Sequence, residues 1–491
     1  MAKSTFVGRE RERALLDDML GSNRAELMAL YGRRRIGKTH LIREHLAPRA
    51  GTYLEVTGTK NGAATLQRRR FREALEATMT EGQPLPEFRS WDDAFSYMSR
   101  LVLRRAEASS APIVLFFDEL PWLATPRSGL LEALDYQWNA RLSRVPSVKL
   151  VLCGSAASWM LRRLVLAKGG LHNRLTRRVR LEPFTLRETR TYLKRSRHRL
   201  KEKETLELYM ALGGVPYYLS LLDHGESVAQ AVGRLCFERG GPLRDEFDNL
   251  FASLYADHER HTSLVETLAE RASGLTRDQL IERLQLSSGG GLNRRLSELE
   301  EAGFVARVHP WGKRAKTAVF RVIDEFSLFH HRWIRTAPKG LLARGAGSFW
   351  PSRTKTPSYH AWAGYAFESV CLNHARELRG ALGIEGLVTD VGSWRHIPRT
   401  RSRVREGAQI DLLFDRRDDV INVCEMKFSA EPFVITKAYA RALKEKIDIF
   451  ERVSGTKKRV ALTLVTPYGL KKNAWSEDLV DRVIDARALF A

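Results

Sequence analysis

The sequence predicts an α/β chain of several domains, and three observations carry that prediction. The chain has 491 residues, too many for a single hydrophobic core. Its first part alternates short apolar runs with longer amphipathic stretches, the pattern of a parallel sheet with helices on both faces. A second group of strand-like runs lies near the C-terminus, beyond a long helical region.

Composition narrows the class further. Apolar residues make up 43% and charged residues 28%, which is folded protein rather than disorder. Lys and Arg number 81 against 58 Asp and Glu, leaving a formal charge of +23. A field of that sign attracts polyanions, so nucleic acid is the expected partner; a solvated basic surface is the bland alternative. The cysteines Cys153, Cys236, Cys371 and Cys424 show no C-x-x-C spacing. That argues against a disulfide framework or a structural zinc site and points to a reducing compartment. The segment MAKSTFVGRE has no apolar signal region, and no run approaches the roughly 18 apolar residues of a membrane span. A cytoplasmic protein with no membrane partner is expected.

Residues 1–185 contain the runs ELMALYG, TYLEVTG, PIVLFFDE and VKLVLCGS, each bounded by Gly or Asp and read as a buried strand. The first leads into Gly32-Arg33-Arg34-Arg35-Ile36-Gly37-Lys38-Thr39, which fits G-x-x-x-x-G-K-[ST], and then into a helical HLIREHL. Glycines let backbone N–H groups fold round phosphates, and the helix N-terminus favours their charge. Lys38 would reach the β- and γ-phosphates of ATP, and the Thr39 hydroxyl would ligate Mg²⁺. The third run delivers Asp118 and Glu119 at its tip, a costly pair to place after five apolar residues without a cation or a function. Asp118 would hold Mg²⁺ through water, and Glu119 would polarise the attacking water. The fourth run ends at Ser155, whose side chain either touches the γ-phosphate or simply closes a turn.

These motifs resemble the archaeal-type AAA+/STAND P-loop ATPases of prokaryotes, through Phe6-Val7-Gly8-Arg9-Glu10, YGRRRIGKT, FFDELPWL and Gly213-Gly214-Val215-Pro216-Tyr217. The resemblance covers roughly residues 5–240. It implies that Val7, Gly8 and Arg9 border the adenine and that Pro216 lies in a turn of a helical lid, here 186–255, that closes over the nucleotide. It also implies self-association through the ATPase domain. Arg174 would then be an arginine finger acting in trans, the alternative being a surface salt-bridge residue.

Residues 256–335 read as a winged helix. The segment 276–284 starts at the N-cap Thr276, a Ser/Gly turn follows, and Leu292 to Glu300 forms a second helix. Runs at 303–308 and 318–322 would flank a basic wing tip from Trp311 to Lys316. DNA would then meet Arg294 and Arg295 on the helix and Lys313, Arg314 and Lys316 on the wing. Glu298, Glu300 and Glu301 do not suit a groove, and many such modules pack on protein instead. A Pro-, Ser- and Thr-rich stretch within 336–357 is expected to be a linker.

In residues 358–491, the strand around Asp411 places an acid inside an apolar run. A second strand carries Glu425 and Lys427 two residues apart, on one sheet face. Two carboxylates can hold Mg²⁺ against a phosphodiester, Mn²⁺ being possible, while Lys427 orients water and stabilises charge. Upstream, Glu368 on an amphipathic helix would complete the site. The alternative is a buried ion pair in an inactive relic. This arrangement resembles the PD-(D/E)XK nuclease-like module, a restriction-endonuclease-like α/β domain. Matched to it, Asp411 and Glu425 are metal ligands, Lys427 the catalytic lysine and Glu368 the helix acid. Gln409-Ile410 stands where the motif's name expects Pro. The combined reading is an ATP-dependent DNA-processing protein, ATP binding and hydrolysis controlling a metal-dependent endonuclease. One alternative is an ATP-switched DNA-binding regulator that does not cut; another is an ATPase signalling through protein partners.

Overall fold

The computed structural model describes residues 7–155, 157–165, 170–286, 290–312, 318–338, 348–398 and 406–491. The chain divides into two compact units, Met1–Pro183 and Phe184–Ala491.

In the first unit the four expected runs become β1 (Glu26–Tyr31), β2 (Thr52–Thr57), β3 (Ile113–Asp118) and β4 (Val148–Gly154). A fifth strand, β5 (Arg177–Arg180), joins them in an all-parallel sheet of order β2-β3-β4-β1-β5. The apolar runs are continuous because both faces of the sheet are covered. Leu27, Ala29, Leu115 and Phe117 pack with Phe71 and Phe95 on one side. Met28, Leu30, Val114 and Phe116 pack with Leu41 and Ile42 on the other. The strand missing from the sequence reading, β5, has three arginines among its four residues and buries only Val179. That is the composition of a protected sheet edge, and it hides a strand from hydrophobic patterning.

The second unit opens with helices from Leu186–Arg195 to His258–Ala269, as expected. Next, β6 (Leu275–Thr276), β7 (Val305–Val308) and β8 (Val319–Val322) form an antiparallel sheet of order β6-β8-β7. The helices Arg277–Arg283 and Gly290–Ala302 lie between β6 and β7 in the chain. Thr276 caps the first of them, accepting from the Gln279 N–H at 3.3 Å while Gln279 returns a bond to the Thr276 N–H. A second sheet has the order β13-β12-β11-β10-β9, with β9 (Val388–His396), β10 (Ala408–Arg416), β11 (Val420–Met426), β12 (Arg459–Val465) and β13 (Arg482–Ile484). Its β9-β10-β11 part is antiparallel and its β11-β12-β13 part parallel, the helix Lys437–Ser454 making the crossover from β11 to β12.

Two expectations need correction. The described residues of 336–357 are not an open linker. The helix Phe349–Arg353 buries Phe349 and Trp350, and the Trp350 ring stacks on Phe237 at 5.9 Å. The loop-like residues serve as punctuation instead: Thr356 caps the helix Pro357–Asn373, which Pro357 opens. One continuous core runs from Phe184 to Phe490, so no break in packing marks 255 or 335. Nor does Trp311 stand out on a free wing tip. Its ring lies 5.5 Å from Phe450, its Nε1 donates to Asp415 at 2.9 Å, and its backbone N–H donates to Ser393 O at 2.7 Å. A large aromatic ring gains more from burial than from a place beside a solvated phosphate. Among the described residues no helix is long and apolar enough to cross a membrane.

Candidate functional site

Three adjacent parallel strands bring the first set of residues together. Gly32 follows β1, Asp118 ends β3 and Ser155 follows β4, so all stand at the C-terminal edge of one sheet. That edge, where helices begin, is where α/β sheets take their ligands. The loop needs its glycines: Gly37 has φ 86°, and a Cβ on Gly32 would fall 2.3 Å from the Leu181 carbonyl oxygen. Arg9, Arg35 and Glu119 also adopt left-handed backbone, at φ 57°, 74° and 47°. Strained non-glycine residues gathered at one edge are typical of functional sites.

The Lys38 amine is buried inside this loop. It donates to Gly32 O at 3.0 Å, Arg33 O at 2.8 Å and Ser155 Oγ at 2.9 Å. Burial lowers its pKa, and the nearby acids Glu119 and Asp118 act the other way. Ser155 extends the chain of bonds, donating through Oγ to Glu119 at 2.8 Å. Thr39 Oγ1 donates to Asp118 Oδ2 at 2.6 Å. A hydroxyl and a carboxyl oxygen so close are the hard donors Mg²⁺ takes beside phosphate, so the residues fit that ion. Val7 is buried, and Arg9 Nη2 donates to Ile36 O at 3.1 Å, which ties the 7–9 segment to the loop. Arg34 lies over the Trp122 ring at 5.2 Å. Arg174 is exposed at the end of the short helix Gly170–Arg174 of the same unit.

In the second unit, Gly213 (φ 67°) and Gly214 precede the short helix Pro216–Leu219. A Cβ on Gly214 would sit 1.8 Å from the Phe184 carbonyl oxygen, and the Phe184 N–H donates to Gly214 O at 2.6 Å.

The second set of acids lies on β10, β11 and a helix of the same unit. The β10–β11 register pairs Leu412 with Cys424, so Asp411 and Glu425 flank that pair on adjacent strands. A β-bulge between Ile410 and Leu413 disturbs β10 against β9 at this point, a feature common beside active sites. Glu425 is buried and meets two lysines, Lys427 at 2.9 Å and Lys446 at 2.7 Å, while the Tyr439 hydroxyl donates to it at 2.8 Å. Burial raises the pKa of its carboxyl, but Lys446 and Lys427 outweigh that and hold it below the usual range. Asp411 accepts from the Gln409 amide. Glu368, on the helix Pro357–Asn373, pairs with Arg321 of β8 at 3.2 Å. Burial first, then the charge of Asp411, raises its pKa against the pull of Arg321. Among the described residues, no three His, Cys, Asp or Glu side chains gather closely enough to hold a metal ion. A divalent cation here would rest on the Asp411 and Glu425 carboxylates with water and substrate oxygens, as Mg²⁺ commonly does.

Residues 6–222 match the family described as "ATPase domain predominantly from Archaea". These residues form an archaeal-type ATPase domain. An uncharacterized protein of Methanocaldococcus jannaschii, MJECL04, is 24% identical over 418 residues, covering 83% of this chain and 84% of that protein. An uncharacterized ATP-binding protein of the same organism, MJ0423, is 49% identical over 41 residues, 8% of this chain and 70% of that protein. The Walker-type ATPase PABY2304 of Pyrococcus abyssi is 18% identical, covers 67% of this chain and 96% of its own, and has a TM-score of 0.48. The matched segment runs past the ATPase sheet and through Gly213–Pro216 in the second unit.

Outside the ATPase core the sequence reading was uneven. Arg294 is exposed, as a nucleic-acid contact requires, but Arg295 is buried and its guanidinium donates to Asp257 at 2.9 Å. Arg295 is thus a packing residue in this structure, because it faces the helix that begins beside Asp257 and not solvent. Buried Glu298 pairs with His261 at 2.8 Å, which explains an acid at that position. Lys313, Arg314 and Lys316 lie outside the described residues. Lys446, Tyr439 and Arg321 were missed. The first two had a signal: Tyr439, Leu443, Lys446 and Phe450 recur at helical spacing on one face, and the two apolar members pack under the sheet. Lys444 of the same helix is exposed and paired with Asp478 at 2.7 Å.

Proposed function

We propose that the chain is an ATP-dependent DNA-processing protein in which the ATPase domain controls a metal-dependent endonuclease built on β10 and β11. The observation that supports it most is Glu425, a buried carboxylate held by Lys427 and Lys446 on the strand next to that of Asp411. In the ATPase domain, Lys38 would exchange the carbonyls of Gly32 and Arg33 for the β- and γ-phosphates, with backbone N–H groups of the Gly32–Thr39 loop around them. Thr39 and Asp118 would hold Mg²⁺, which supplies charge neutralisation on the phosphates. Glu119 would orient the attacking water, with Ser155 fixing its carboxyl, and Arg174 would stabilise developing charge on the nucleotide of a neighbouring copy. Pro216 would border the nucleotide from the lid.

At the second site, Asp411 and Glu425 would carry Mg²⁺ or Mn²⁺. Lys427 would orient the attacking water and neutralise charge on the phosphodiester, while Tyr439 and Lys446 hold Glu425 in place. The segment 256–335 would act as a winged helix presenting Arg294, with Lys313, Arg314 and Lys316, to DNA. The test is cleavage of supercoiled and branched DNA in Mg²⁺ or Mn²⁺, with and without ATP, for the native chain, Lys427→Ala and Lys38→Ala. Cutting by the native chain that disappears in Lys427→Ala supports the nuclease, and Lys38→Ala reads whether ATP gates it. One observation favours a second reading, an ATP-switched DNA-binding regulator: both lysines and Tyr439 already occupy the Glu425 carboxylate. DNA binding without cutting in any lane would select it.

A further inference from the structure

Beside Glu368 lies a cleft of about 720 Å³, within the roughly 300–1,000 Å³ of ligand-sized sites, and neither motif accounts for it. Its walls come from the end of the helix His258–Ala269, from β8, from the helix Pro357–Asn373 and from β9 and β10. Four arginines line it: Arg271, Arg321, Arg332 and Arg395. Their charge is poorly compensated. Of the two acids on its wall, Glu270 is paired with Arg283 at 3.3 Å and Glu368 with Arg321 at 3.2 Å. Arg271, Arg332 and Arg395 are exposed and have no carboxylate at ion-pair distance among the described residues. The same wall carries Tyr365, whose side chain is 62% exposed, unusual for a ring of that size. Tyr365 and Glu368 stand three residues apart on one helix, so they share a face. Gln409, which donates to Asp411, lines the cleft as well, so its floor reaches the acids.

We propose that this cleft binds nucleotides of a single nucleic-acid strand, a base stacking on Tyr365 and the phosphates resting on Arg271, Arg332 and Arg395. The strand would run from there toward Glu368 and Asp411. This deepens the nuclease reading and rests on it for the direction of the strand. The chemistry selects a single strand because a base still stacked in a duplex has no free face for Tyr365. Uncompensated arginines beside an exposed aromatic ring are the pairing that sequence-tolerant strand binding uses. Phosphate on DNA and on RNA offers the same hydrogen-bond acceptors, so both sugars belong in the test.

The experiment is fluorescence anisotropy with labelled twelve-nucleotide dT and U strands on the full chain, in EDTA so that nothing is cut, across a salt series. Tyr365→Ala should weaken binding by about tenfold. An Arg271→Gln/Arg395→Gln pair should make the log–log salt dependence shallower by about 1.4, near 0.7 for each phosphate that is no longer neutralised. Arg452→Gln, an exposed cation of the helix Lys437–Ser454, serves as the control and should leave affinity within about twofold. The tighter of the two strands assigns the sugar. Unchanged affinity and slope in both cleft variants would overturn the proposal, as would a duplex that binds more tightly than either strand and ignores Tyr365→Ala. Strand binding with these sensitivities, but no cutting after Mg²⁺ is restored, would keep the cleft and remove the nuclease reading.

Discussion

Replacing Thr39 with Val tests the ATPase site at a single atom. Valine fills the same volume, so the change removes the hydroxyl that donates to Asp118 at 2.6 Å and little else. Asp118 is only 4% exposed, and it keeps a bond from the Glu119 N–H at 3.0 Å. A hydrogen bond to a charged group contributes about 1.5–3 kcal/mol, and here no water easily replaces it. The first unit spans Met1–Pro183, a size at which each kcal/mol moves the melting point by about 2–4 °C. Thr39→Val without ligand should therefore melt about 5 °C below the native chain. ATP at about a hundredfold excess over its Kd, with Mg²⁺, should raise the native first transition by about 2.7 kcal/mol, or roughly 8 °C. In Thr39→Val that gain should depend much less on Mg²⁺, because one of the two groups that would hold the ion is gone. Differential scanning fluorimetry with ATP alone, Mg²⁺ alone and both together reads all of this. A variant that melts with the native chain and keeps the full Mg²⁺-dependent gain would refute the geometry of Thr39 and Asp118 as a shared cation site.

Two further outcomes follow from the second unit. Gly214→Ala drives a Cβ to 1.8 Å from the Phe184 carbonyl oxygen, a backbone atom that cannot step aside; urea unfolding should show a loss of about 3 kcal/mol, and a loss under about 0.5 would contradict the packing. His330 is buried against Phe247, with ring centroids 4.3 Å apart, and its Nδ1 has no hydrogen-bond partner among the described residues. Burial, and to a lesser degree the nearby charges of His331 and Arg335, lower its pKa from 6.5 to about 4. The unfolded chain thus binds the extra proton first, and this contribution to stability is whole above pH 6.5 and falls away toward pH 4. At about 1.4 kcal/mol per pH unit, the native chain should lose about 3 kcal/mol more than His330→Phe between pH 7 and pH 4. Parallel losses in the two proteins would show that His330 titrates freely.

Where local chemistry dictates structure, the sequence was enough. The runs of β1 to β4 read as buried strands because a sheet covered on both faces demands apolar residues at every position. The Gly32–Thr39 loop, the Asp118–Glu119 tip and the Thr276 cap were legible because each depends on residues close together in the chain. The pairing of Glu425 with Lys427 was legible for the same reason, being a period-two neighbour along one strand.

Tertiary structure decided whatever depends on partners far apart in sequence. Arg295 and Arg294 are neighbours with the same chemistry, yet one is spent on Asp257 and the other faces solvent, a choice made by a helix 38 residues away. Trp350 begins a stretch that reads as linker, and it is buried because Phe237 waits for it more than a hundred residues upstream. Three arginines concealed β5, since an edge strand needs only one buried side chain. The cleft beside Glu368 draws its four arginines from four separate segments that no spacing rule connects. Sequence alone determined which groups can bind phosphate or a hard cation, because side-chain chemistry is local. Which of them remain free to do so was set by folding, because compensation of charge depends on who arrives within about 4 Å.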